Sequence, residues 1–430
     1  MIKVLYLIAG DMSFDEMLFL DAFINQLPQQ SIHNHLLVPT LPLSHVALQN
    51  RNIEFTIAKP GFLYEDFQAL LADYQPQIVI LVDPYILVQP DAPDLTYIEL
   101  EWLDEIQSVV AVLDFRMNLL KTADDQLALD KYILAGETPP FALNYDFLIK
   151  VCPPHNSAPT KNPKLLQWSC QDPMSLLAVY GIRDEVRTQL GCKENSHVIT
   201  LVFPIENTLL ALEKGLTEHF PVVIETLIYY LNQLDGDYVL AVVNMPPPFN
   251  DFDFDNVQIR FFPMIDMELL GNLFRATEIL FTESMTYPGL ILSSLRHIPA
   301  VNLGSTAKLD KNGQISVRSG PLSPFLQMKL EDLKDKNPDA IFPFLSFPSP
   351  LRVNWIQSPI LNDRFMYFVA DLFDEQRMLA LIENLLNKGP DYELFEQELA
   401  EYKERKLGRT QDAEAIIRKL VTAPPRHLQA

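Results

Sequence analysis

RFFPMIDMELLGNLFRATEILFTESMTYPGLILSSLRHIPAVNLG, residues 260–304, alternates two kinds of pattern within one short span. VQIRFF (whose last residues open it), EILFTE and PAVNLG are short apolar runs bounded by proline, glycine and polar residues, which predicts buried strands. Between them lie two stretches with helical apolar spacing, MELLGNLFRA and PGLILSSLR. The second opens on Pro288, a residue suited to a first helical position. Buried strands separated by helices imply a parallel sheet covered on both faces.

The same alternation extends in both directions. Towards the amino terminus, HVITLVFP and DYVLAVVN predict strands, with helices around 207–216 and 220–234 between them. The first third of the chain repeats the scheme with KVLYLIAG, HLLVPT, IEFTIA, IVILVDPY, VVAVLDF and FLIKVC as strands. Helices are expected over 14–27, over 42–51 and in EDFQALLADY. Residues 153–173 break the pattern with prolines and polar residues, where a linker is expected. PPPFNDFDFDN (246–256) reads as a solvated acidic loop, since no EF-hand glycine or terminal glutamate follows its aspartates. The tail from 373 to 421 is mostly helical, with one highly charged face.

Composition narrows the function classes. A chain of 430 residues with 48% hydrophobic content can build two ordinary domains. Its formal net charge of -23 gives it no electrostatic reason to bind nucleic acid or anionic lipid. Cys152, Cys170 and Cys192 match neither a disulfide framework nor a zinc pattern and read as reduced thiols. The start MIKVLYLIAGDM is too short an apolar stretch for a signal peptide, and no run approaches a membrane span. His33 and His35 are the closest histidine pair, and a metal role is not expected there. A cytoplasmic location follows as an expectation.

Two α/β halves, a linker and a helical tail resemble the GT-B glycosyltransferases. Residues 260–304 carry the specific part: strand, aromatic–proline loop, helix, strand, turn, helix and strand, in the order of the GT-B donor-site region. The chain also resembles a poorly characterised bacterial group of GT-B-like proteins found near natural-product genes. This resemblance implies an α/β protein of two Rossmann-like domains facing a cleft. The acceptor domain would span 1–160, the linker 161–175, the nucleotide-sugar donor domain 176–372 and a helical segment 373–430.

On that resemblance, the donor is held at the carboxyl ends of the second set of strands. The turn Ser284-Met285-Thr286-Tyr287 offers backbone amides and hydroxyls to a diphosphate at a helix start, although Ser284 or Thr286 serves equally as a helix cap. Glu283 is placed to bind a sugar or ribose hydroxyl. Phe262 and Pro263 fall in the loop that packs on the nucleobase, or else Phe262 is a core residue ending a strand. Glu206 and Asn207 take the place of the first donor-domain loop and can touch a phosphate or cap the next helix. Three departures stand out: Glu283-Ser284-Met285 replaces the HGG of many GT-B enzymes, Leu292 replaces their ribose-binding glutamate, and His297 replaces the glycine of GxP.

Inverting sugar transfer needs a base for the acceptor proton. In LIAGDMSFDE (7–16), Ser13 and Glu16 form an S-x-x-E capping box, and Asp15 suits the first helical turn. Asp11 precedes the cap and has only an Asx-turn as its structural alternative. The D-x-x-x-D spacing of Asp11 and Asp15 is similar to that of protein-arginine rhamnosyltransferases, which implies a catalytic role. Asp83 and Asp114 end further strands and can bind acceptor groups or cap loops. The expected activity is transfer of a sugar from a nucleotide sugar to a small-molecule or peptide acceptor. It would be inverting and metal-independent, without a cofactor beyond the nucleotide-diphosphate sugar. No nucleic-acid or membrane partner is expected, and a homodimer is compatible with the chain. A nucleotide-sugar 2-epimerase and a non-catalytic GT-B-like scaffold are the alternatives.

Overall fold

The apolar run at the amino terminus forms β1 (Ile2–Leu7), whose residues Val4 to Leu7 are fully buried. A strand with no solvated face must be covered on both sides, and the rest of the chain supplies that cover. The computed structural model describes residues 1–10, 16–39, 53–82, 84, 87, 97–114, 119–121, 127–129, 145–151, 164–168, 183–245, 250–263, 267–284, 288–344, 347, 367–405 and 411–424. The chain divides into two compact units, Met1–Leu177 with Tyr402–Ala430, and Ala178–Glu401.

The first unit contains β1, β2 (Ile32–Val38), β3 (Glu54–Ile57), β4 (Ile78–Leu81), β5 (Val109–Asp114), β8 (Phe147–Val151) and β9 (Leu165–Trp168). They form one parallel sheet in the order β3-β2-β1-β4-β5-β8-β9. β6 (Leu119–Lys121) and β7 (Leu127–Leu129) pair as a separate antiparallel ribbon. The sheet grows outward from β1 in both directions, so the strand order reverses between β1 and β4. Helices Glu16–Asn25, Tyr64–Tyr74, Leu100–Asp104 and Ala413–Val421 belong to this unit. The helix expected over 42–51 lies outside the described residues.

Two features lie near the division between the units. The expected linker, 161–175, contains β9, because LLQW buries Leu166 and Trp168 on a sheet edge. Trp168 meets Phe23 edge-on at 5.2 Å between centroids and Phe19 at 6.4 Å. Its Nε1–H donates to Gln26 Oε1 at 2.9 Å, and the same oxygen accepts from the Ala413 amide at 3.0 Å. The expected helical segment 373–430 is therefore divided. Helices Glu375–Leu386 and Pro390–Arg405 lie in the second unit up to Glu401, whereas Ala413–Val421 lies in the first.

The second unit contains β10 (His197–Val202), β11 (Tyr238–Val243), β12 (Phe252–Phe254), β13 (Val257–Phe262), β14 (Ile279–Thr282), β15 (Ala300–Gly304) and β18 (Phe368–Asp371). Their order is β12-β13-β11-β10-β14-β15-β18, parallel except for β12. β16 (Lys308–Leu309) and β17 (Ile315–Ser316) form a small antiparallel ribbon. Helices Arg183–Gln189, Ile205–Glu213, His219–Leu231, Met267–Ala276, Pro288–Leu295 and Pro324–Lys336 complete it. Part of the acidic stretch expected as a loop becomes β12, because its carboxylates are used against β13. Asp253 pairs with Arg260 at 2.8 Å, and Asp251 accepts from the Phe261 amide at 2.7 Å. Among the described residues no helix is long and apolar enough to cross a membrane.

Candidate functional site

In a parallel sheet all carboxyl ends lie on one edge, and the crossover helices begin there. In the second unit the chain leaves β10 and returns on one side as β11, and later adds β14 on the other side. β10 and β14 therefore flank the point where the strand order reverses, the crevice that open α/β sheets use for ligands. The residues that follow the ends of β11, β10 and β14 share one property.

Asn207, in the first turn after β10, is 4% exposed, and its Nδ2 has no hydrogen-bond partner. Asn244, directly after β11, is 7% exposed with φ at 63°, and its Oδ1 has none. Its backbone amide is occupied, donating to the Phe262 carbonyl at 2.8 Å. Glu283, directly after β14, is fully buried; its Oε1 shares a hydrogen bond with His219 Nε2, while Oε2 has no partner. A buried polar atom without a partner costs about 1–3 kcal/mol. Other orphans exist, such as Thr226 Oγ1 and Asn256 Oδ1. Thr226 sits inside a helix, and Asn256 already donates through Nδ2 to Leu234 and Gly236. What sets the three apart is their common place: two acceptors and one donor at one sheet edge.

The helix after β10 adds to this edge. Its N-cap is Pro204, which makes no side-chain cap hydrogen bond. Thr208 N is bonded to the Pro204 carbonyl at 3.0 Å, so the amides before it have no carbonyl partner within the helix and form its positive end. Glu206 and Asn207 are the second and third residues of the helix, whose N-cap position is taken by Pro204. The side chain of Glu206 lies outside the described residues.

The Glu283–His219 pair is enclosed by separate segments. The His219 ring stacks on Phe347 at 4.0 Å and 12°, and Phe344 meets it edge-on at 5.5 Å. The Phe347 amide donates to the Glu283 carbonyl at 3.0 Å. Phe344 exchanges two backbone hydrogen bonds with Ser305, each 2.8 Å, which ties this segment to the end of β15. Such enclosure holds both side chains to one geometry.

The remaining expected donor residues are distributed unevenly. Phe262 ends β13 half-buried and Pro263 follows it exposed. Ser284 is buried, its amide facing Thr282 Oγ1 at 3.5 Å. Met285, Thr286 and Tyr287 lie outside the described residues. Leu292 is 1% exposed and belongs to the core, so no hydroxyl is read from that position. His297 has φ at 63°, the conformation that favours glycine after a helix, and its Nδ1 pairs with Glu396 at 2.8 Å.

In the first unit Asp11, Asp15 and Asp83 lie outside the described residues. Asp114 is fully buried as the last residue of β5, with Lys150 of β8 opposite in register and its Nζ at 3.8 Å. It is an ion-paired strand residue, and Lys150 was not anticipated. His33 and His35 are engaged by Tyr74 at 3.2 Å and Thr56 at 2.8 Å, with Glu54 beside both. Among the described residues no set of three or more His, Cys, Asp or Glu is placed to hold a metal ion. Cys192 is a free thiol, and burial raises its pKa.

Sequence reading named Glu283 and Asn207 but missed His219 and Asn244. The available signals were a histidine opening a helix that is apolar almost all round, and an asparagine, which tolerates positive φ, directly after a buried strand.

Two Rossmann-like α/β units in one chain, with these strand orders, define a GT-B fold. The chain belongs to a family of unknown function, DUF6365, matched over residues 23–423. Its fold is similar to that of spinosyn forosaminyltransferase SpnP, with a TM-score of 0.54 and 9% identity, covering 98% of this chain and 100% of that one. Spinosyn rhamnosyltransferase SpnG complexed with thymidine diphosphate aligns with a TM-score of 0.50 and 12% identity, over 98% and 100% of the two chains. The UDP-GlcNAc 2-epimerase of Methanocaldococcus jannaschii, in complex with UDP-GlcNAc and UDP, gives 0.50 and 12% over 98% and 100%. No curated protein matches the sequence.

Proposed function

We propose that the protein is a sugar-nucleotide enzyme, and specifically a glycosyltransferase that takes its donor at the carboxyl edge of the second sheet. The observation that carries this reading is the set of orphaned buried atoms on Asn207, Asn244 and Glu283 beside the strand-order reversal. A nucleotide sugar supplies hydroxyl donors and carbonyl acceptors, and its diphosphate suits the amino-terminal ends of helices Ile205–Glu213 and Pro288–Leu295. Phe262 and Pro263 would bound the base, with Ser284 and Thr286 near the phosphates.

In the proposed reaction an acceptor hydroxyl or amide attacks the sugar C1 and forms the new glycosidic bond. The C1–oxygen bond to the nucleoside diphosphate breaks, and that leaving group departs with the bonding pair. Asp11 or Asp15 takes the acceptor proton; their D-x-x-x-D spacing, similar to that of protein-arginine rhamnosyltransferases, supports this assignment. Helix amides stabilise the departing charge. Asp83, and Asp114 with Lys150 beside it, are assigned to the acceptor. A 2-epimerase would instead need the nucleotide sugar alone, so product analysis with and without acceptor separates the two readings.

Thermal melting in the presence of UDP, TDP and their sugars tests the proposal. A nucleotide at a hundred times its Kd stabilises by about 2.7 kcal/mol and should raise Tm clearly. If no nucleotide shifts Tm even at millimolar concentration, the reading fails.

A further inference from the structure

We propose that His219 and Glu283 form a hydroxyl-reading pair, with His219 as the positioning residue and Glu283 Oε2 accepting a hydrogen bond from a hydroxyl of the bound nucleotide sugar. This rests on the sugar-nucleotide reading and adds to it the residues that select the ligand.

His219 Nε2 and Glu283 Oε1 share a hydrogen bond; with Glu283 as a carboxylate the imidazole donates to Oε1, and Oε2 is a second acceptor. Oε2 is buried and unpartnered, and Glu283 as a whole is fully buried. What completes it must bring a donor. A phosphate brings negative charge and no donor at neutral pH, so the diphosphate does not fit this atom. A sugar hydroxyl does.

The surroundings show why the pair acts as a unit. A glutamate side chain has several rotamers, and an unrestrained carboxylate would lose freedom on binding. Here Oε1 is tied to His219, and the imidazole is held flat against Phe347 and edge-on to Phe344. The Glu283 carbonyl is tied to the Phe347 amide. Oε2 is left as the oxygen with a fixed direction and an unmet valence.

The hydroxyl can belong to the ribose or to the transferred hexose, and binding measurements on the full chain separate them. Calorimetry with UDP, 2′,3′-dideoxy-UDP and UDP-glucose is run on wild type, Glu283→Gln, His219→Phe and His219→Gln. Glu283→Gln replaces one carboxylate oxygen with an amide nitrogen, and His219→Phe keeps the ring stack while deleting the hydrogen bond to Oε1. Both should weaken binding about ten- to a hundredfold. His219→Gln, which keeps an N–H donor, should recover most of the loss; a merely packing role for His219 would instead favour the phenylalanine.

If the ribose is read, the loss appears with UDP and disappears with dideoxy-UDP. If the hexose is read, UDP binding is unchanged and the extra affinity of UDP-glucose is lost. Wild-type binding of UDP with all variants binding every probe equally overturns the pair while leaving the nucleotide reading intact. A loss that persists with dideoxy-UDP, with no further loss on UDP-glucose, also overturns it. Wild type binding neither these probes nor their thymidine counterparts overturns both. Should His219→Phe fail to fold, the two glutamine variants decide the matter alone.

Discussion

Asn244 combines a backbone and a side-chain anomaly in one residue. Its φ of 63° belongs to the left-handed region, where a residue with a Cβ is disfavoured by about 1–2 kcal/mol and asparagine is among the few that visit it. The same residue carries an unpaired Oδ1 beside the candidate site. Two substitutions separate these properties. Asn244→Gly keeps the backbone geometry and should leave Tm unchanged or slightly higher, while nucleotide affinity falls about tenfold. Asn244→Ala should lose the same affinity and about 1 kcal/mol of stability besides, read by denaturant melts. Equal affinity in wild type and the glycine variant would remove Asn244 from the site. For the proposed base, Asp11→Asn should abolish turnover while calorimetry still reports nucleotide binding; loss of both together would assign Asp11 a structural role.

At the scale of elements, β9 shows what a four-residue strand can do. Its Trp168 is fully buried against Phe19 and Phe23 and shares Gln26 with the start of helix Ala413–Val421. Trp168→Ala should cost about 3–5 kcal/mol, since it opens a large cavity and leaves Gln26 short of a donor. A melt within about 1 kcal/mol of wild type would mean that this edge does not support the unit. β9 was illegible in the sequence because LLQW stands among prolines and lysines, and its partners, β8 on one side and Gln411 of the tail on the other, are not adjacent to it in the chain. β1, β10, β11, β14 and β15 were legible for the opposite reason. They are buried on both faces, so each appears as a continuous apolar run. The candidate site divides along the same line. Glu283 and Asn207 follow strand ends that can be read locally, whereas His219 acquires meaning from a partner 64 positions away. Asn244 was missed because its distinguishing feature is a dihedral angle.

The whole molecule carries a formal charge of -23, so its net repulsion eases as pH falls and as salt rises. One group works against that trend. His35 is held with a pKa below its usual 6.5, chiefly because burial disfavours the imidazolium, while neighbouring Glu54 partly restores it; His33 and Asp73 act more weakly in opposite senses. Its folded pKa is thus depressed relative to the unfolded chain. Between the folded and unfolded values the unfolded state binds more protons, so stability rises with pH across that window. His35 therefore withdraws no stability well above pH 6.5 and progressively withdraws it as pH falls below. His35→Gln keeps a polar group towards Thr56 and cannot titrate. The Tm of wild type relative to this variant should decline on going from pH 7.5 to 5.5, with salt held constant so that the global charge term cancels. A difference that stays flat, or grows as pH falls, would show that the His35 pocket does not exclude the proton.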